Sequence, residues 1–190
     1  MQKIINFIKR MFLGVFLIGL IIYCFKSFLY RNLVDYKEIG QRTLIKIENQ
    51  DIKDDLDFWL ETSNTASTEQ IIDFAITYAS EDIKYTFGKC STNPNIVIMK
   101  DQNTNCIGYS AALHAVLTYL LEKKGLDEKV KSEHKIGQLY LLNFNVHQLF
   151  KNPAFKDHDY NVITDKTNNK RYCIDPTLRT YFGIERVNEK

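Results

Sequence analysis

Residues 105–125 read NCIGYSAALHAVLTYLLEKKG. Ile107, Ala111, Ala112, Leu113, Ala115, Val116, Leu117, Leu120 and Leu121 leave little polar surface on any side. The spacing therefore predicts a helix from Cys106 to Lys124 in the middle of a core. Gly125 follows the last apolar turn, where a left-handed residue ends a helix at least cost. A helix apolar all round has to be covered on every face, so the flanking segments must supply the cover.

Upstream, Ser67 and Gln70 fit a capping box, in which each side chain satisfies a free backbone N–H at a helix start. Ile71, Ile72, Ala75, Ile76, Tyr78 and Ala79 then recur at helical spacing. Residues 89–105, with Pro94 and several Asn, read as a loop with a short apolar patch at Ile96–Met99. Downstream, β-type runs occur at Lys129–Ser132, Gln138–Phe144, His158–Thr164 and Arg171–Asp175, with an extra helix around Val146–Lys151. Helices first and strands afterwards predict an α+β domain in which the buried helix packs on an antiparallel sheet.

The N-terminal end differs from the rest. Met11–Phe25, MFLGVFLIGLIIYCF, carries no charge and is flanked by Lys9, Arg10 and Lys26. That run is short for a span of roughly 17–25 residues, but Lys26 can snorkel and Ser27–Tyr30 extend the apolar character. A cleaved signal peptide, a lipoprotein box at Cys24 and a buried core helix compete with an anchor. No small-residue cleavage site follows, Tyr23 stands where a lipoprotein box wants a small residue, and basic flanks disfavour a core helix. The reading is a single-pass anchor over residues 1–31, a membrane-proximal connector and helix over 32–66 carrying Trp59 and the polar run Thr62–Thr65, and a catalytic-type domain over 67–190. Basic residues flank both ends of the anchor, and the preferred orientation has the N-terminus inside and the domain outside the cytoplasm.

The chain has 190 residues, 45% hydrophobic and 25% charged, a balance for one folded domain plus an anchor rather than a disordered chain. Residues 1–31 hold five basic and no acidic residues, and the remainder holds 20 basic and 23 acidic. The net charge of +2 thus comes from the membrane-proximal end, and nucleic acid is not an expected partner. None of the four cysteines forms a C-x-x-C pair, so a zinc ribbon or thioredoxin-type motif is excluded. If Cys106 works as a free thiol, Cys90 and Cys173 remain as a candidate disulfide.

Cys106 stands in the first turn of the buried helix, where free N–H groups and the positive dipole end stabilise a thiolate and can bind an oxyanion. Gly108 permits close approach at that point. The competing reading is a small core cysteine. A second segment, HDYNVI over residues 158–163, is joined by a polar turn to RYCIDPT over 171–177. The two read as a hairpin, and a tip between Lys166 and Thr167 sets His158 directly opposite Asp175. Asp175 then orients the ring of His158 toward a thiol, as in Cys–His–acid catalysis. The competing reading is two strand-end residues satisfied by backbone, with Pro176 merely ending a strand. Among the other histidines, His114 lies eight residues along the helix from Cys106, about 12 Å away, and reads as a core or rim residue. His134 sits in a charged run and reads as solvated, and His147 as part of a helix or loop. A zinc site from Cys106, His158 and Asp175 has suitable residue types but no paired-ligand spacing.

Together these segments resemble the transglutaminase-like superfamily, relatives of papain-type cysteine proteases. The likeness rests on Cys106-x-Gly108-Tyr109, on His158-x-Tyr160-Asn161-Val162 and on Asp175-Pro176-Thr177, in that order, with Tyr85 as an aromatic ending the upstream helical region. It covers about residues 68–180. Tyr160 departs from it, because tryptophan is usual there, and residues 137–156 are longer than a minimal member needs. The resemblance implies a papain/transglutaminase-like core with a Cys106–His158–Asp175 triad, substrate contacts from Tyr109, Tyr160 and Asn161, and no cofactor or metal. It further implies acyl transfer or hydrolysis on peptide or glutamine amides. Gln102 and Asn103 are the nearest candidates for a second oxyanion donor. The alternative is a domain of this kind that has lost catalysis and binds a protein or peptide at the membrane surface.

Overall fold

The computed structural model describes residues 2–63, 67–99, 102–184 and 186–189. The chain opens with helix α1 (Gln2–Cys24), turns into α2 (Lys26–Leu33) and runs straight into strand β1 (Val34–Arg42). Helices α3 (Gln50–Thr62) and α4 (Thr68–Tyr78) follow, then the short strand β2 (Lys84–Tyr85), the single turn α5 (Pro94–Val97) and strand β3 (Asn103–Thr104). The central helix α6 (Cys106–Lys124) leads into β4 (Val130–Leu141) and β5 (Phe144–Asn145). Two 3-10 turns at Val146–Leu149 and Pro153–Phe155 precede β6 (His158–Asp165), β7 (Lys170–Ile174), helix α7 (Pro176–Phe182) and β8 (Asn188–Glu189).

Helix α6 occupies its expected bounds. Asn105 caps its start, and Gly125 ends it in the left-handed region at φ 64°. Twelve of its nineteen residues are buried, which places it at the centre of the main core. Ile52 and Leu56 of α3, Ile71, Ile72, Ala75 and Ile76 of α4, and Ile163 and Ile174 of the sheet surround it. The capping box of α4 is present in both directions, Ser67 with Gln70.

The protein is α+β, with α6 packed against a mixed six-stranded sheet in the order β7-β6-β4-β1-β8, β5 adding to β4. Neighbouring strands are antiparallel except β1 with β8, which run parallel, so the expected all-antiparallel sheet is corrected to a mixed one. The sheet nearly closes on itself, because the Val187 N–H donates to the Cys173 carbonyl at 2.9 Å and Arg171 pairs with Glu189. The inner face holds Val34, Tyr36, Tyr160, Val162, Cys173 and Val187. On the outer face, Asn161 Nδ2 donates to the Ser110 carbonyl at 2.9 Å and ties β6 to α6.

Four expectations change. Residues 34–42, read as a connector, form a strand paired along its length with β4, and α3 buries Ile52 and Leu56 in the main core. The folded unit therefore begins well before residue 67. The alternation of Val34, Asp35, Tyr36 and Lys37 is too short to mark a strand, because it slips at Glu38 and Ile39, where a bulge shifts the register before Gly40. The runs expected at 129–132 and 138–144 fall largely on one long strand, β4, which turns at Leu142 and Asn143 into β5 with Phe144. The apolar patch at 96–99 belongs largely to α5, with Val97 fully buried. Asn64 and Thr65 of the polar run lie outside the described residues.

Helix α1 leaves the domain with Leu13, Phe16, Ile18 and Ile21 at least 57% exposed. No single helix among the described residues is long and apolar enough to cross a membrane. The segments Lys9–Cys24 and Lys26–Leu33 pass that test together but bend by 74°.

Candidate active site

The site forms where α6 begins, β6 begins and β7 ends. Asn105 Oδ1 accepts from the N–H groups of Ile107 at 3.1 Å and Gly108 at 3.4 Å, which leaves the Cys106 amide as the first-turn donor that this cap does not use. Cys106 is the first helical residue and is 9% exposed. Gly108 is required by packing, since a Cβ there would lie 1.9 Å from Thr104 Oγ1.

Asp175 ends β7 and caps α7. Its Oδ1 accepts from the N–H groups of Thr177 at 3.0 Å and Leu178 at 3.1 Å, with Pro176 in the first turn where its missing N–H costs nothing. Its Oδ2 accepts from Tyr36 Oη at 2.8 Å and meets His158 Nε2 at 2.6 Å. Burial opposes ionisation of this carboxylate, but the His158 charge and these donors outweigh it and hold its pKa below the usual range. For His158, burial again opposes charge. The Asp175 carboxylate and a hydrogen bond with Cys106 overcome it and push the ring well above its ordinary pKa. With Nε2 committed to Asp175, Nδ1 is the ring nitrogen left for the thiol.

The contact is diagonal. Asn161 pairs with Ile174 and Asp165 with Lys170, so the hairpin register is two residues away from the expected one and Asp175 lies past the end of the ladder. The Asp175 carboxylate reaches back to His158 because both side chains point to the inner face. Tyr36 brackets the pair from β1, its ring 6.1 Å from that of His158 and 5.0 Å from that of Tyr160. Tyr30 of α2 continues the chain, with its Oη 2.9 Å from Tyr36 Oη.

Cys106, His158 and Asp175 are thus brought together. Tyr109, Tyr160 and Asn161 are not presented to a substrate, since all three have 0% exposure. Tyr109 donates to the Ile83 carbonyl at 2.5 Å, Tyr160 to Glu189 at 2.6 Å, and Asn161 to Ser110. Their place is in holding the scaffold. The wall beside the thiol comes instead from Tyr85, whose phenol burial and the nearby Cys106 and Asp175 push up to about 12. Its ring packs edge-on against Phe87 at 5.0 Å and Tyr181 at 6.3 Å, and Phe87 continues to Phe155 at 5.3 Å.

His134 is corrected from solvated to buried at 2% exposure. Its Nε2 lies 2.6 Å from Asp159 Oδ2, and Arg42 Nη2 donates to Asp159 Oδ1 at 3.1 Å. Burial works against the Asp159 charge, but these two partners keep its pKa low. The Arg42 guanidinium is held charged chiefly by Asp159, and the Cys106 sulfur adds to that. His114 accepts or donates at Ser132 Oγ, 3.0 Å away, and burial beside His134 pulls its pKa down to about 4. His147 sits in the first 3-10 turn, bonded to the Phe155 carbonyl at 2.7 Å.

All four cysteines are free thiols, so the Cys90–Cys173 pairing does not form; Cys173 faces Glu189 on the inner side of the sheet. Among the described residues no group of three or more His, Cys, Asp or Glu side chains is placed to hold a metal ion.

No known protein family matches this chain, and no curated protein is significantly similar to it. A thiol at a helix start, a neighbouring imidazole whose pKa that thiol helps to raise and a four-fold hydrogen-bonded carboxylate behind that imidazole can move one proton from sulfur to nitrogen and keep both resulting charges.

Proposed function

We propose that this protein is a membrane-anchored cysteine enzyme of the transglutaminase-like kind, acting on peptide or glutamine amides with its domain outside the cytoplasm. The observation that carries the proposal is the placement of His158 Nε2 at 2.6 Å from the buried Asp175 carboxylate, with Cys106 close enough to add to the raised pKa of the ring. The chain order of the three residues, the cysteine opening a buried helix and the acid closing a strand also fit a papain/transglutaminase-like core. Anchoring is supported by the uncharged run Met11–Phe25 and its exposed side chains.

His158 takes the thiol proton and Cys106 sulfur attacks the amide carbonyl carbon. The Cys106 amide N–H faces the developing oxyanion at the helix start. The carbon–nitrogen bond then breaks, His158 gives its proton to the departing amine, and an acyl thioester remains. Water completes hydrolysis; an amine completes transfer. Asp175 stabilises the imidazolium in both halves.

The 9% exposure of Cys106 favours the second reading, a non-catalytic binder of the same fold. Alkylation by iodoacetamide separates them. The enzyme reading requires fast labelling of Cys106 at about pH 6 that is lost in His158→Ala; labelling that stays slow until about pH 8.5 assigns the binder.

A further inference from the structure

We propose that α2 and the β4–β5 hairpin tip form a surface that lies in the lipid headgroup layer, giving the domain one fixed orientation on the bilayer. The proposal rests on the reading of α1 as an anchor. The 74° bend between the two N-terminal helices has a direct geometric meaning in that setting. If α1 runs along the membrane normal, α2 lies nearly flat on the surface.

The two faces of α2 suit that position. Tyr30 turns inward to Tyr36, and Leu29 is only partly exposed. Phe25 at the elbow and Phe28 are 57% and 59% exposed on the outer face, which continues to Arg31. Aromatic rings together with a cation are the composition of a helix resting at a membrane interface.

The hairpin tip supplies a further point of contact. The Leu142 N–H donates to the Leu33 carbonyl at 3.0 Å, which fixes the tip at the far end of α2. Leu142 and Asn143 make the turn at φ 49° and 71°, the left-handed region that Gly or Asn occupies at lower cost than Leu. Yet Leu142 is 69% exposed, beside Leu141 at 44% and Phe144 at 49%. An unfavourable backbone that presents an apolar side chain to solvent gains nothing within the folded chain. A bilayer surface recovers that cost, and α2, which joins the tip at Leu33 to the exposed apolar helix α1 at Phe25, makes lipid the occupant.

The full chain is reconstituted into vesicles of zwitterionic and anionic phospholipid, in a Trp59→Phe background that removes the native reporter. Leu142→Trp, Phe144→Trp and Phe16→Trp are then examined one at a time. The reporters at 142 and 144 should be quenched by lipids brominated high on the acyl chain at least twofold more than by soluble iodide, and that at 16 by deeply brominated lipids. Quenching at 16 with iodide-accessible 142 and 144 overturns the docking surface and leaves the anchor standing. No lipid quenching at 16 overturns the anchor reading itself. Protection at 142 that tracks the protein-to-lipid ratio assigns the tip to a second copy of the chain and also overturns the proposal. A cooperative thermal transition by circular dichroism, with Tm close to that of the Trp59→Phe background, checks that each variant is folded.

Discussion

His158 and Asp175 meet across a diagonal of the β6–β7 hairpin, with Nε2 2.6 Å from Oδ2 although the two residues are not a ladder pair. Asp175 does two jobs with its two oxygens, since Oδ1 caps α7 while Oδ2 serves the imidazole. The Asp175→Asn variant keeps an oxygen for the cap and removes the charge. Cys106 alkylation near pH 6 should fall by at least about tenfold, the worth of a charge-assisted hydrogen bond. Asp175→Ala, which removes the cap as well, should in addition lower Tm.

Tyr36→Phe removes one donor from a fully buried carboxylate and leaves Tyr30 Oη without its partner. The loss should be about 1.5–3 kcal/mol at neutral pH. Because the folded pKa of Asp175 is depressed, its stabilising contribution is present above the unfolded value near 3.9 and disappears as pH falls through the folded value. The Tm difference between the two proteins should therefore be largest above about pH 4 and shrink below it. A difference independent of pH would mean that Tyr36 acts by packing alone.

His114 is buried at 8% exposure, with a folded pKa near 4 against an ordinary value of 6.5. The unfolded chain binds the extra proton between those values, so the contribution is whole above about pH 6.5 and is lost as pH falls toward 4. The amount is on the order of 3 kcal/mol. Urea unfolding of the His114→Gln variant should show a flatter stability profile across that window, with His134 and Glu133 as the neighbouring titratable groups.

Gly108→Ala places a methyl group 1.9 Å from Thr104 Oγ1 and 2.9 Å from its Cβ. Overpacking of this kind costs about 1–3 kcal/mol and has to displace either Thr104 or the first turn of α6. A lower Tm together with slower Cys106 alkylation is the expected pair of results. Adding Thr104→Ala should restore part of both, since it removes the nearest atom.

The hydrophobic pattern of α6, its Gly125 cap and the Ser67–Gln70 capping box were legible in the sequence because each is settled within a few residues along the chain. The positions of Cys106, His158 and Asp175 at the ends of elements were legible for the same reason. Strand β1 was not legible because only Val34 to Lys37 alternate and the pattern slips at Glu38 and Ile39, at the bulge, in a strand whose inner face is covered only after the sheet curls. Substrate contacts at Tyr109, Tyr160 and Asn161 were implied only by the family resemblance, and all three are buried. Their polar atoms are bonded to Ile83, Glu189 and Ser110.

By itself the sequence determined single local features, where α4 starts and where α6 starts and stops, because helical period and capping are local. The tertiary structure decided the partners. Tyr36 reaches Asp175 across 139 residues, and Arg42 reaches Asp159 across 117. Such pairs depend on strand order, register and the near closure of the sheet, which no local pattern encodes. Only when β1 pairs with β4 and β8 comes round toward β7 does the inner face exist on which the carboxylate, the phenol and the imidazole meet.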